Sequence, residues 1–387
     1  MKQKVWQRID ELADSLWELA LRIHAHPEVA FQEHRAATWL TEVLEEAGFQ
    51  VERPYAGLET AFRAEHPGAQ PGPAVALLAE YDALPELGHA CGHNLIAAIA
   101  VGAALGLAPF KADLPGRLVV LGTPAEEGGA GKILLIRAGA FRDIDLAMMV
   151  HPGSHTLVGR GSLAITEVKI EFHGKPAHAS ATPEQGINAL DAVIQTFNAL
   201  NALRQHIKDG ARIHGIITHG GVKPNIVPEY AAANFYVRAA ENDYRDELVE
   251  KLKRCAEGAA LATGAKLTFQ KAGHEYKAMN PNRPLAEAFR RHIEELGYPV
   301  EEPSGGMGST DMGDVSWEVP AIHPYIKITE GEVPGHSHEF AQAAKSERAR
   351  KALIAAAKAV AATCLDVWTE PEFFQRVREE FSQATSG

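Results

Sequence analysis

Apolar residues recur at helical spacing from Val5 to Ala25 (Leu12, Leu16, Leu19, Ile23) until Pro27 closes the run, and a second helix is expected over Glu33–Ala47 before Gly48. The pattern then shortens. Ala74–Tyr81 (AVALLAEY) is a nearly continuous apolar run of strand length, which suits a strand covered on both faces. Asn94 is a good N-cap for an Ala-rich helix over Leu95–Ala108. Arg117–Gly122 and Asp145–Val150 read as two further buried strands, with a helix over Gly131–Ala138 between them. Alternating β and α elements predict an α/β layer domain.

The middle of the chain changes character. A strand at Leu163–Phe172, a helix at Glu184–Leu203, strands at Ile213–Gly220 and Ala231–Arg238, a helix at Asp243–Thr263 and a strand at Lys266–Lys271 follow in order. This β-α-β-β-α-β order is the ferredoxin-like pattern. After Pro281 and Pro284 come a helix (Leu285–Leu296), a Gly-rich loop (Gly305, Gly306, Gly308), an apolar strand near Pro320–Ile328 and a long helix, Ala343–Val367. Ser382–Gly387 is expected to be a frayed tail. The expected organisation is a small domain (164–276) inserted into a larger one (1–163 and 277–387).

Composition narrows the partners. With 387 residues, 46% of them hydrophobic and 23% charged, the chain can bury a sizeable core. A net charge of −12 repels phosphate backbones and anionic lipid, so neither nucleic acid nor a membrane surface is an expected partner. The opening MKQKVWQRID has no apolar signal-like core, and no run is read as approaching the ~20 apolar residues of a span, so a cytoplasmic location is expected. Three cysteines, Cys91, Cys255 and Cys364, are too few for a disulfide framework.

The chemistry gathers after the buried strands. Ala74–Tyr81 is followed by Asp82 and then His89-Ala-Cys91-Gly-His93-Asn94; Arg117–Gly122 by Glu126 and Glu127; Asp145–Val150 by His151. In open α/β sheets ligands bind outside the carboxyl ends of strands, so these side chains reach one rim. Thiolate, imidazole and carboxylate form the ligand set of zinc and related divalent ions. Cys91 also precedes a predicted helix N-terminus, where partial positive charge favours the thiolate. Adjacent glutamates make sense if one binds metal while its neighbour takes a proton from metal-activated water. Two other readings compete: a cysteine-nucleophile amidase using Cys91 with a neighbouring His as base, and a non-catalytic ligand-binding relative.

Six segments together resemble the M20 family of metallopeptidases and amidohydrolases: HACGHN (His89–Asn94), TPAEEGGAGK (Thr123–Lys132), HGKPAHASATPEQGINALDA (His173–Ala192), GGVKPNIVPEYAAANFYVRA (Gly220–Ala239), GSTDMGDVSW (Gly308–Trp317) and HSHEF (His336–Phe340). The likeness is to its subfamily D. Asn94 stands where many members have Asp, and Ile96 where a His often follows; the Asn94 form, with GSTDMGDVSW, resembles the aminobenzoyl-glutamate hydrolase and dipeptidase branch more than the hippurate hydrolases.

The resemblance implies a Zn-peptidase-like α/β/α catalytic domain with an inserted ferredoxin-like α+β lid, through which members pair as homodimers. It implies two divalent metal ions, zinc or manganese, with cobalt or nickel also compatible. Carried over motif to motif, Cys91, His93, Glu127, His151 and His336 become metal ligands and Glu126 the general base. His178 would polarise the scissile carbonyl, and Asn225 and Arg238 would hold the substrate's carbonyl and carboxylate. His338 falls on a variable position of its motif and is left out. The implied activity is metal-dependent hydrolysis of the amide bond of N-acyl amino acids, aminobenzoyl-glutamate-like compounds or dipeptides.

Overall fold

The computed structural model describes residues 1–302 and 307–385, so Gly305, Gly306, Ser386 and Gly387 lie outside the described residues. The first apolar run folds as two helices, Lys2–Glu11 and Ala13–Ala25, meeting at Leu12, and a third spans His34–Glu46. Six strands follow: β1 (Gln50–Glu52), β2 (Phe62–Pro67), β3 (Gln70–Ala79), β4 (Pro115–Gly122), β5 (Leu146–Met148) and β6 (His151–Gly153). Then come β7 (Ala164–His173), β8 (Arg212–His219), β9 (Tyr230–Ala239) and β10 (Lys266–Tyr276), and finally β11 (Ala321–Ile322) and β12 (Tyr325–Lys327). The single apolar strand expected near Pro320–Ile328 is therefore two short ones, interrupted at His323 and Pro324.

These elements form two compact units. The first comprises Met1–Arg160, Asn280–Gly306 and Asp314–Gly387. Its main sheet runs β1-β2-β4-β3-β5-β11, antiparallel over β1, β2 and β4 and parallel from β4 through β11. Continuous burial from Ala74 to Ala79 explains the unbroken apolar run: β3 is central and has no solvent face. The helix His93–Leu107 packs on β3 and on the helix Glu347–Thr369.

Contrary to the sequence reading, His93–Asp113 and Glu347–Thr369 are long and apolar enough to cross a membrane. The most apolar stretch of each is 78% buried within the fold, so its apolarity serves the protein core. Asn94 does not cap its helix. Gly92 takes the cap position, and the buried Asn94 amide donates to the Ala20 and Ala344 carbonyls. The expected tail is helical through Thr385, because Pro371 opens a further helix that buries Phe373 and Val377.

The second unit, Gly161–Met279 with Met307–Gly313, carries an antiparallel sheet of order β10-β7-β9-β8. With helices Ala189–Leu203 and Asn242–Thr263 this is the ferredoxin-like arrangement that the element order predicted. Val168, Ile170, Phe172, Phe235 and Val237 pack with Leu248 and Leu252 in its core. The first of these helices begins at Ala189 rather than Glu184. Asn188 caps it, accepting from the Leu190 and Asp191 amides, while Pro183–Gln185 forms a separate short turn.

Candidate metal centre

The carboxyl ends of β3, β4 and β5 deliver their polar residues to one place in the first unit. Past β3 the chain reaches Asp82 and loops to Cys91-Gly92-His93, where the helix begins. Gly92 has φ +80°, and a Cβ there would lie 2.4 Å from Pro152 Cγ, so only glycine lets Cys91 and His93 flank this turn. His151 starts β6 and is fixed by pairing with Tyr325 of β12. His336 arrives from the other end of the chain, its amide donating to the Ala90 carbonyl at 3.0 Å.

Three overlapping groups of donor atoms lie wholly within this unit, each with its atoms within 4.8 Å of one another: Cys91, His93 and His151; Cys91, Glu127 and His336; and His93, Glu126 and Glu127. Cys91 Sγ lies 3.4 Å from His151 Nε2, and His336 Nε2 lies 3.1 Å from Glu127 Oε1. His93 is fully buried, and its Nδ1 donates to Asp82 Oδ1 at 2.8 Å. Its Nε2 makes no hydrogen bond, although Glu80 Oε2 is 3.3 Å away and likewise lacks one.

A histidine steered by a carboxylate, with its second nitrogen orphaned in a nest of acidic groups, is the arrangement by which proteins present imidazole to a metal. The donor set therefore fits divalent cations. The electrostatics agree. Burial opposes charging His93, yet Asp82, Cys91 and Glu80 outweigh it and hold its pKa well above the ordinary value. Surroundings that favour a proton at Nε2 also favour a cation there.

Burial lowers the pKa of His151 to about 4, and pushes the Cys91 thiol up. The helix terminus alone therefore does not ionise Cys91; an adjoining cation would be needed to offset its desolvation. Burial acts against ionisation of Glu127 as well, but His336 and His93 overcome it and keep the carboxylate below its ordinary range.

Several contributors escaped the sequence reading. Asp82 follows β3, but its residue type alone assigns it no role. It accepts both the His93 ring proton and, at 3.0 Å, the Glu127 amide. Glu80 is buried and pairs with the equally buried Lys132. The only signal for this pair was a charged residue inside each of two otherwise apolar segments. His323 is buried with its ring centroid 5.5 Å from that of His151. His89 is also buried, and its ring sits 5.9 Å from that of His24. His338, left out on its motif position, is exposed at the start of a short helix.

The remaining three candidates belong to the second unit. His178 and Asn225 occupy adjoining segments: His178 bridges to Ile226, and the Ala179 amide donates to the Asn225 carbonyl at 3.0 Å. His178 Nδ1 accepts the Ala181 amide at 3.2 Å, which leaves the proton of a neutral ring on Nε2. Arg238 lies elsewhere, on β9, with Nη1 3.2 Å from Ser309 Oγ. It is half-buried, and desolvation lowers its pKa.

Comparison with known proteins completes the picture. Residues 76–363 match the model of peptidase family M20/M25/M40. The chain is 43% identical to the Xaa-Arg dipeptidase of Mus musculus, over 98% of this chain and 92% of that protein. It is 30% identical to a p-aminobenzoyl-glutamate hydrolase polypeptide of Escherichia coli, over 98% and 93% respectively. The crystal structure of a dinuclear metal binding peptidase of the M20 family from Bacillus subtilis superposes with a TM-score of 0.73 at 22% identity, covering 91% of this chain and 98% of that one.

Proposed function

The chain belongs to peptidase family M20/M25/M40 and is a hydrolase; from that premise we propose that it cleaves the amide bond of dipeptides or related aminoacyl compounds with the help of two divalent cations. The observation that carries the reading is the convergence of Cys91, His93, Glu127, His151 and His336, with the His93 Nε2 atom buried and unbonded. Cys91, which is common to two donor groups, would hold the cations together with His93, His151, Glu127 and His336. When bound, such cations bring the pKa of water towards neutrality and polarise a carbonyl.

The chain's own residues supply the rest. Glu126 takes a proton from the attacking water on its carboxylate and passes it to the departing amine nitrogen. Asp82 keeps the His93 proton on Nδ1. His178 offers its Nε2 proton to the carbonyl oxygen as charge develops there, Asn225 adds a second donor, and Arg238 grips the substrate carboxylate.

Among amides, dipeptides with a basic C-terminal residue rank first, because the relative at 43% identity is an Xaa-Arg dipeptidase. Aminobenzoyl-glutamate ranks second, on the relative at 30%. The cysteine-nucleophile alternative is weaker: burial disfavours ionisation of Cys91, whereas that chemistry needs a thiolate. A homodimer formed through the second unit is also proposed. Its support is the edge strand β8, where Ile216 is 67% and Ile217 44% exposed.

The deciding experiment assays Xaa-Arg and Xaa-Lys dipeptides, N-acyl amino acids and aminobenzoyl-glutamate after chelation and reconstitution with zinc, manganese, cobalt or nickel. Activity should vanish on stripping and return with metal, and E126Q should lower kcat by about 10²- to 10⁴-fold with metal content unchanged. Turnover that survives stringent metal removal refutes the reading.

A further inference from the structure

The segment between the second and third helices, HPEVAFQE (His26–Glu33), has no part in the chemistry described above, yet it lies directly behind it. The Glu28 carbonyl accepts the Ala83 amide at 2.8 Å, next to Asp82. The Glu28 carboxylate accepts the Arg35 and Ala36 amides at 2.9 and 3.0 Å, anchoring the segment to the start of the third helix. Phe31 packs where a side chain on Gly129 would stand, 2.3 Å from the ring. Glu33, fully buried, sends Oε1 to the Ala125 amide at 2.9 Å.

Ala125 immediately precedes Glu126 and has φ +63°, a left-handed conformation that the alanine Cβ disfavours and that the surroundings must hold in place. On the other side of Glu126, the Glu127 amide is held by Asp82. Two buried carboxylates, drawn from distant parts of the chain, thus hold the backbone amides on either side of the proposed base.

We propose that Glu33 is a positioning residue for Glu126, fixing the left-handed turn at Ala125 from which the Glu126 side chain projects. This rests on the reading of Glu126 as general base. The carboxyl is retained in the core at a desolvation cost, with the Ala125 amide bound to Oε1 and the Thr60 side chain close by. Burial raises its pKa to about 7, and either protonation state keeps an oxygen able to accept that amide.

The test compares E33Q, E33D and E33A with the parent in the full-length, metal-reconstituted enzyme, using the best substrate from the panel above. Gln keeps an acceptor at the same reach, whereas Asp is one methylene short and Ala has no acceptor. E33A and E33D should lower kcat by about 10- to 100-fold, the scale expected when a reacting group is displaced by an ångström, with KM within about twofold and metal content unchanged. E33Q should stay within about threefold of the parent.

Amide hydrogen exchange on the metal-free protein gives a readout independent of turnover. Exchange at residues 125–127 should quicken in E33A and E33D and stay as in the parent in E33Q. Unchanged kcat in folded E33D or E33A, loss of metal in place of kcat, or E33Q as impaired as E33A overturns the proposal. Should E126Q retain parental kcat while exchange follows the expected order, it is the assignment of Glu126 that fails, and not the clamp.

Discussion

Asp82 does two jobs with two oxygens, accepting the ring proton of His93 on Oδ1 and the Glu127 amide on Oδ2. An Asn in its place has only one acceptor oxygen, so D82N cannot accept from both the imidazole and the amide, and keeping both contacts would turn His93 to the tautomer with its proton on Nε2. Partners that orient a ligand typically contribute 10- to 100-fold to metal affinity. D82N should therefore weaken affinity about 10- to 100-fold, measured by competition with a chelating dye, while the fold survives. At this scale the sequence was informative about donors and silent about their supports. Cys, His and Glu at strand ends announce metal chemistry by residue type alone. Glu33 sits 92 positions from the amide it holds, and no local pattern connects the two.

Elements were legible wherever burial imposes a period. The continuous apolar run of β3 follows from its central place in a parallel sheet. β7 alternates because one face of its sheet meets two helices. Boundaries were less readable, since they depend on neighbours. Asn94 has the chemistry of a cap, but Gly92 is the residue that tolerates φ +80° against Pro152, so the helix starts earlier and includes His93. This makes Gly92 the hinge between an element and the site. G92A would incur about 1–2 kcal/mol for the left-handed backbone alone, with the Pro152 clash in addition. Its expected signature is a lowered Tm together with reduced metal content, because Cys91 and His93 are displaced together. A stable G92A protein with parental metal affinity would show that this turn has more latitude than its geometry implies.

For the whole molecule, the chain's two compact units divide the candidate residues between them: the five proposed ligands and Glu126 in the first, His178, Asn225 and Arg238 in the second. If β8 pairs with a second copy, the double substitution I216D/I217D places charge on an apolar edge and should convert a dimer to a monomer in sedimentation velocity, with Tm little changed. A parent protein that already sediments as a monomer rules out this pairing. The sequence by itself determined the donor types, the α/β layering and the ferredoxin-like order. Each of these is written in residue chemistry or in a hydrophobic period, and both are local properties. Only the tertiary structure decided which donors meet, that His93 Nε2 and Glu80 Oε2 face each other without a hydrogen bond, and that Glu33 lies behind Ala125. Convergence of this kind depends on loop paths and packing between segments far apart in the chain, and the energy that selects it resides in contacts that no stretch of sequence contains alone.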